Sequence, residues 1–525
     1  MTAERSGPAV GYRGDLPPSH FNMARYAIGR AAAVVPDKTA LLAIADPARA
    51  QPEECWSYRA LETTVLTLAG HMAERFPPGE RVLIRLGNSS TFAIAFFAVI
   101  AAGRVAVPVS SQLTEREAAF VIGDCAPAGI LADPALPLGQ MPGGCRAIEL
   151  DEVRRLMTIL PAHGRPGYAA TRADDPAYLI YTSGTTAEPK GVLHAQRAAW
   201  GRRPMYQGWY GIGPGERMLH AGAFNWTYTL GTGLTDPWAN GATALVYTGP
   251  KDPALWPRLI ATQGATMFAA VPSLYRQILK YADLGSDALT RLRHGLTAGE
   301  TLTETVAAEW LERTGRPLYE ALGMSEISTY ISSSPGVPRR PGTAGRPQPG
   351  RSIAILAQDA PHAVLPTGEA GLLAVHCSDP GLMLGYWNRP EEDAATRFGD
   401  WFAGGDLATI DGDGYVTHHG RADDIMNAMG YRVSPLEVES VLATHPGVAE
   451  AACAEVRVRD GVSIIAAFVV PRDGASRDGG AILDHARRKL AGYKVPREIV
   501  FLDALPRTAN GKVMRRALAL GSAGR

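Results

Sequence analysis

Tyr181-Thr-Ser-Gly-Thr-Thr-Ala-Glu-Pro-Lys-Gly-Val-Leu-His194 gathers several hydroxyl side chains, two glycines and Lys190 into one short segment. It follows the apolar run Ala177-Tyr-Leu-Ile180, of strand type, and precedes a polar, helix-compatible segment from Ala195. The expected order is strand, loop, helix. Such a loop buries little apolar surface but offers backbone N–H groups and hydroxyl donors that can wrap an anion, and a phosphate chain fits that chemistry. On composition alone it reads equally well as a Ser/Thr/Gly surface turn.

The common phosphate loop of nucleoside triphosphatases needs Gly, four residues, then Gly-Lys and a hydroxyl residue. Counted from Gly184, Pro189 stands at the second glycine and Gly191 replaces the hydroxyl after Lys190. That class is disfavoured. The segment instead resembles the phosphate-binding motif of the adenylate-forming superfamily, which contains acyl-CoA synthetases, peptide-synthetase adenylation domains and luciferases. Ala187 stands where that family normally has glycine. The resemblance implies that Thr182, Ser183, Gly184, Thr185, Thr186 and Lys190 hold the phosphates of ATP, with Gly299 and Glu300 also on the nucleotide.

Further motifs follow in the family's order. Glu320-Ala-Leu-Gly-Met-Ser-Glu326 could by itself be a helix cap; by resemblance Ser325 touches the α-phosphate and Glu326 holds Mg²⁺, a cation that takes oxygen ligands and commonly bridges phosphates. Leu322 occupies a position where the family often stacks an aromatic ring on adenine. Trp401-Phe-Ala-Gly-Gly-Asp406-Leu407 matches the motif whose acid accepts from both ribose hydroxyls, implicating Asp406. In Gly420-Arg-Ala-Asp-Asp-Ile425 and Gly430-Tyr-Arg-Val-Ser-Pro-Leu-Glu-Val-Glu439, the resemblance implies that Arg421 contacts the nucleotide, Asp423 is a hinge, and Gly430 leaves a passage for the pantetheine arm of coenzyme A. Met429 is bulkier than the small residue the family often has at that position. Leu505-Pro-Arg-Thr-Ala-Asn-Gly-Lys512, without context a basic surface segment, then supplies Lys512 as the lysine bridging substrate carboxylate and α-phosphate.

The whole chain is consistent with this assignment. Its 525 residues exceed one hydrophobic core, and 52 Lys and Arg balance 52 Asp and Glu, so no global bias towards nucleic acid or an anionic membrane exists. Five scattered cysteines lack the spacing of a zinc site or disulfide framework. The polar N-terminus has no secretory apolar core, and the most apolar run, Phe92 to Ala102, is too short to span a bilayer. A cytoplasmic protein with no membrane span is expected.

Strand-like runs near Ala40, Glu80, Val105, Ala128, Ala242, Thr266 and His294, with helical stretches between them, indicate an α/β fold with parallel-rich sheets covered by helices. From about Ile353 shorter alternating runs and turn clusters indicate a β-rich subdomain. Asp411-Gly-Asp-Gly414 reads as a hairpin turn, since Tyr415 spoils a calcium loop. The expected organisation is a large domain over 1–421, with the β-rich part at about 350–421, and a small mobile α+β domain over 422–525.

The implied reaction activates a carboxylic acid to acyl-AMP with release of pyrophosphate, then transfers the acyl group to coenzyme A. ATP and coenzyme A are co-substrates and Mg²⁺ the metal. The acid is expected to be aryl or of medium chain length, in a pocket of Phe224, Asn225, Trp226, Ala298, Gly323 and Ile327, although these aromatics could equally fill the core. The resemblance is closest to benzoate-type and medium-chain ligases. A free-standing enzyme that loads a carrier-protein thiol is the alternative, and an inactive adenylate-binding protein is a remote one.

Overall fold

Ser90–Ala101 forms a helix in which all twelve residues are buried. The Ser89 hydroxyl starts it by accepting from the Phe92 N–H at 3.1 Å. A helix apolar on every side must be covered on every side. It is enclosed between two sheets, and Val82, Ile84 and Ala106 of one share its core with Leu41, Ala244 and Val246 of the other. The amphipathic helix Tyr58–Arg75 packs beside it.

The computed structural model describes residues 11–164, 167–182, 189–285, 289–424, 426–428, 431–459, 462–507 and 513–522. Ser183, Gly184, Thr185, Thr186, Ala187, Met429, Gly430 and Lys512 lie outside the described residues.

One sheet has seven strands in the order Gly385–Tyr386, Lys190–Ala195, Pro176–Thr182, Val105–Pro108, Arg81–Arg85, Gly129–Ala132 and Arg146–Glu149. The second has nine, in which His294–Ala298, Met267–Ala270, Arg217–His220 and Thr243–Tyr247 run parallel at the centre and antiparallel pairs close both edges. Mixed edges on a parallel centre are common in large sheets. An antiparallel five-stranded sheet follows, built on Ile353–Leu356, Gly371–His376 and Trp401–Ile410. Its hairpin to Val416–Arg421 turns at Asp411–Gly414, as the sequence indicates; the Asp411 carboxylate takes the N–H groups of Asp413 and Tyr415.

Beyond residue 424 the chain builds a separate core, in which Val433, Val438, Leu442, Ile465 and Val469 pack together. Val448–Arg459, Val462–Pro471 and Glu498–Phe501 form its sheet, flanked by helices Pro435–Leu442, Gly479–Lys489 and Arg515–Ser522. The fold is thus α/β, parallel-rich, with a β-rich subdomain and a C-terminal α+β unit. All five cysteines are free. No helix among the described residues is long and apolar enough to cross a membrane.

One local expectation fails. Residues after the first glycine-rich loop do not pass straight into a helix: Lys190–Ala195 is a strand, antiparallel to Pro176–Thr182, and a 3₁₀ helix, Gln196–Arg202, comes only afterwards. Tertiary pairing decides this, because Gly385–Tyr386 hydrogen-bonds the other side of the same strand.

Phe97, fully buried and edge-on to Trp238 at 5.1 Å, sits at the centre of the enclosed helix. Phe97→Ala should cost about 3–5 kcal/mol, read as a fall in the urea midpoint. Leu160→Ala, at a side chain 59% exposed, should stay within about 0.5 kcal/mol of the parent.

Candidate active site

Three loops leave the carboxyl ends of strands on one side of the molecule, after Thr182, Ala298 and Met324. That is where open α/β sheets bind ligands. The cleft there has a volume of about 2560 Å³ and is lined by both the large unit and the C-terminal unit, including Lys190, Ser325, Asp406 and Arg507. A pocket for one small ligand needs about 300–1,000 Å³, so several co-substrates fit.

The strands flanking the glycine-rich loop pair Thr182 with Lys190 and Tyr181 with Gly191. The Tyr181 hydroxyl donates to Asp124 at 2.6 Å. Lys190 is ion-paired with Glu392, and its ammonium lies 5.6 Å from the Tyr386 ring centre. Thr182 and Lys190 both line the cleft.

Leu318–Met324 is a strand rather than a capped helix start, and Ser325, Glu326 and Ile327 form the turn into the antiparallel strand Ser328–Ser332. Gly323 is required for this geometry, because a Cβ there would lie 2.4 Å from the Ser328 carbonyl oxygen. Around the turn, the Met383 N–H donates to the Glu326 carbonyl at 2.7 Å, and the Tyr386 hydroxyl donates to the Glu326 carboxylate at 2.6 Å. His194 holds the Ser325 carbonyl at 2.8 Å. Burial pushes the His194 pKa down to about 3, so the ring is neutral and Nε2–H is the donor. Behind the turn, Ser328 takes a left-handed φ of 73° and accepts from Arg202, whose guanidinium is buried against Asp236 at 2.7 Å.

Asp406 and Arg421 are cross-strand partners in the five-stranded sheet. His418 Nε2 is 3.1 Å from an Asp406 oxygen, and Arg421 donates to the Gly404 carbonyl at 2.6 Å. Gly404 lets this sheet approach the Ser325 turn, since a Cβ would lie 2.6 Å from Met324 Sδ. The motifs at 320–326, 401–407 and 420–424 therefore meet in space. Asp423 lies in the 3₁₀ turn Ala422–Asp424 between the two units.

Gly299 has a φ of 92° and Glu300 accepts from the Ser273 N–H and hydroxyl, both at 3.0 Å, at the start of helix Pro272–Tyr281. Burial raises the Glu300 pKa against the lowering effect of Arg507. The candidate acyl residues divide. Asn225 and Gly323 line the cleft. Trp226 packs with Tyr228, Ala298 and Ala321, and its ring would touch a Cβ on Gly299. Ile327 is buried in another cluster, and Phe224 is stacked on Phe92 at 5.4 Å in the main core. Tyr386, Glu392 and His418 lie outside the sequence motifs, and His194 ends the first of them without a role assigned to it; strand pairing brings His194, Tyr386 and His418 to the site, and the short helix Pro390–Ala394 carries Glu392.

The chain belongs to the AMP-binding enzyme family, whose sequence pattern matches residues 28–387, with the AMP-binding enzyme C-terminal domain matching 437–512. It is an AMP-forming acid–thiol ligase. The 3-hydroxybenzoate–CoA ligase of Aromatoleum sp. (strain CIB) is 32% identical over 463 residues, covering 85% of this chain and 88% of that protein. The crystal structure of a benzoate CoA ligase from Burkholderia xenovorans LB400 matches with a TM-score of 0.85 and 28% identity, covering 95% of this chain and all of that one. The anthranilate CoA ligase AuaEII in complex with anthranoyl-AMP matches with a TM-score of 0.86 and 26% identity, covering 97% and 99%.

Two outcomes follow from the turn and the strand that precedes it. Tyr386→Phe removes one hydrogen bond to the Glu326 carboxylate, and the KM for MgATP should rise about tenfold with the thermal midpoint unchanged; an unchanged KM would separate the tyrosine from nucleotide use. Burial pushes the Glu320 carboxyl up to about 7, against the Leu302 N–H that donates to it at 2.8 Å. A folded-state value above the ordinary 4.5 means that the native state holds the proton longer, so stability is lost as pH rises through that window. Glu320→Gln should therefore gain on the parent protein between pH 4.5 and 7 and keep a constant margin above, read from urea midpoints. A margin that is flat across the window contradicts the buried acid.

Proposed function

We propose that the chain ligates a compact aryl acid to coenzyme A at the expense of ATP. The observation that carries the choice of acid is Trp226, partly buried against the apolar cluster of Tyr228 and Ala298, whose ring lies 4.0 Å from where a Cβ would stand on Gly299, a residue of the cleft wall. Flat aromatic and small apolar residues suit a ring with one carboxylate. The acids named for the relatives, 3-hydroxybenzoate, benzoate and anthranilate, agree with that reading.

In the first step a carboxylate oxygen attacks the α-phosphorus of ATP and pyrophosphate leaves. In the second the coenzyme A sulfur attacks the acyl carbon and AMP leaves, with the thiol proton passing to solvent. Both steps move negative charge, which positioned cations and N–H donors stabilise. We assign Thr182, Ser183, Gly184, Thr185, Thr186 and Lys190 to the phosphates, Ser325 to the α-phosphate, Asp406 to the ribose, Gly299, Glu300 and Arg421 to the nucleotide and Lys512 to the reacting oxygens. Glu326 suits Mg²⁺. Its carboxylate lines the cleft, and the described residues contain no cluster of three or more His, Cys, Asp or Glu that would cage a metal by themselves; magnesium characteristically takes one or two carboxylates and shares the rest of its shell with phosphates and water. When bound it would neutralise charge on the phosphates. The separate C-terminal core supports a domain boundary at 421/422 with Asp423 as hinge, so that Gly430 and Lys512 serve different half-reactions.

The test is a panel of benzoate, 3-hydroxybenzoate, 2-aminobenzoate, hexanoate and palmitate, with coenzyme A or a carrier protein as acceptor. An aryl acid with coenzyme A should give the highest kcat/KM, and Lys512→Ala should abolish ATP–pyrophosphate exchange while sparing thioester formation from supplied acyl-adenylate. Palmitate as the best acid, or carrier protein as the better acceptor, overturns the assignment.

A further inference from the structure

Across the cleft, four side chains of alternating charge link the two units. Arg276 and Glu300 belong to the large unit, and Glu450 and Arg507 to the C-terminal unit. Arg276 lies 3.0 Å from one oxygen of Glu450, Arg507 pairs with the other, and the second arm of the Arg507 guanidinium lies 3.6 Å from Glu300. All four side chains are less than one-third exposed. Exposed ion pairs contribute little, whereas in a shielded network the loss of one partner leaves the other charge uncompensated. Glu300 is itself fixed by Ser273 at the start of the helix that carries Arg276. The large-unit half of the network is therefore a rigid socket. Lys280, on the same helix, adds an outer pair with Asp473 of the C-terminal unit at 2.6 Å.

Arg507 has a second connection. Its backbone forms an antiparallel bridge with Val513, and the Met514 N–H donates to the Pro506 carbonyl at 2.9 Å. Arg507 and Val513 are held together by these contacts, and both line the cleft. Arg507, at one end of this bridge, is the residue that docks on Glu300. Rotation of the C-terminal unit must break Arg276–Glu450 and Arg507–Glu300, but it leaves Glu450–Arg507 intact, since both belong to that unit.

We infer that Arg507 is a positioning residue: docked between Glu300 and Glu450, it latches the C-terminal unit in the orientation that presents Lys512 for adenylation. The latch opens for thioester formation and closes again at each turnover. This inference rests on the proposed two-step reaction. It adds that a half-reaction is selected by a specific charged socket on the large unit, rather than by the hinge alone.

The experiment compares Arg507→Met, Arg507→Lys and Glu450→Gln with the parent enzyme in each half-reaction, and measures orientation separately. Arg507→Met should lower ATP–pyrophosphate exchange at least about tenfold, while thioester formation from supplied acyl-adenylate stays within about twofold. Arg507→Lys should recover part of the exchange, and Glu450→Gln should lose less than Arg507→Met in the same direction. Orientation is read by spin-label distances between Leu311→Cys and Arg488→Cys, with Cys55, Cys145 and Cys377 replaced by serine. The Arg507→Met distribution should broaden relative to the parent. Equal loss of both half-reactions, unchanged exchange, or lost exchange with an unbroadened distribution overturns the latch. If no acid supports exchange in the parent enzyme, the proposed reaction fails, and the distance measurement still decides whether Arg507 fixes the orientation.

Discussion

Three residues, Ser325, Glu326 and Ile327, carry a carboxylate into an open cleft on a turn too short to hold itself. The turn is held from outside: His194 grips the Ser325 carbonyl, Met383 the Glu326 carbonyl and Tyr386 the Glu326 carboxylate. Those partners come from two strands of the seven-stranded sheet and the loop before one of them, whereas the turn ends a strand of the nine-stranded sheet. The two sheets must therefore keep a fixed separation and register for one side chain to keep its aim. The fully buried helix between them sets that separation, and close packing makes it stiff.

Close backbone approaches add to this constraint. Gly323 lets the strand after the turn fold back against the strand before it, and Gly404 lets the five-stranded sheet rest on Met324. Asp406 and Arg421, paired across that sheet, are thereby brought beside Ser325. Polar partners fix the rest. A neutral buried histidine is a good anchor here because it donates a hydrogen bond without carrying a charge into the core. Arg202 is the opposite case, a buried charge balanced by Asp236, and it fixes the strained Ser328 immediately behind the turn.

The C-terminal unit is attached differently. It has its own core and meets the large unit through charged pairs around the cleft, a Ser434 hydroxyl that donates to the His419 carbonyl, and Leu436 beside Gly420. Apolar interfaces tend to hold domains rigidly, whereas polar ones of modest size permit relative motion. A charged socket holds the unit in one orientation, yet its ion pairs can separate and be taken up by water. This is the behaviour required if one small domain is to serve both half-reactions of the proposed reaction.

Much was legible in the sequence, and for definite reasons. The strands at 39–44, 81–85, 105–108 and 294–298 announce themselves because buried parallel strands are short apolar runs, and the helix at 90–101 because it is apolar throughout. The site motifs are legible because glycines, hydroxyls and charges in a fixed order have no use in a core. What the sequence could not decide depends on contacts between distant segments. Lys190–Ala195 is a strand because Gly385–Tyr386 pairs with it, and Phe224 enters the core because Phe92 is there to stack on it. The roles of His194, Tyr386 and His418, and the socket around Arg507, exist only once those segments meet. A side chain's chemistry is written in the sequence, but its partner, and hence its protonation, aim and rigidity, is fixed only by the tertiary structure.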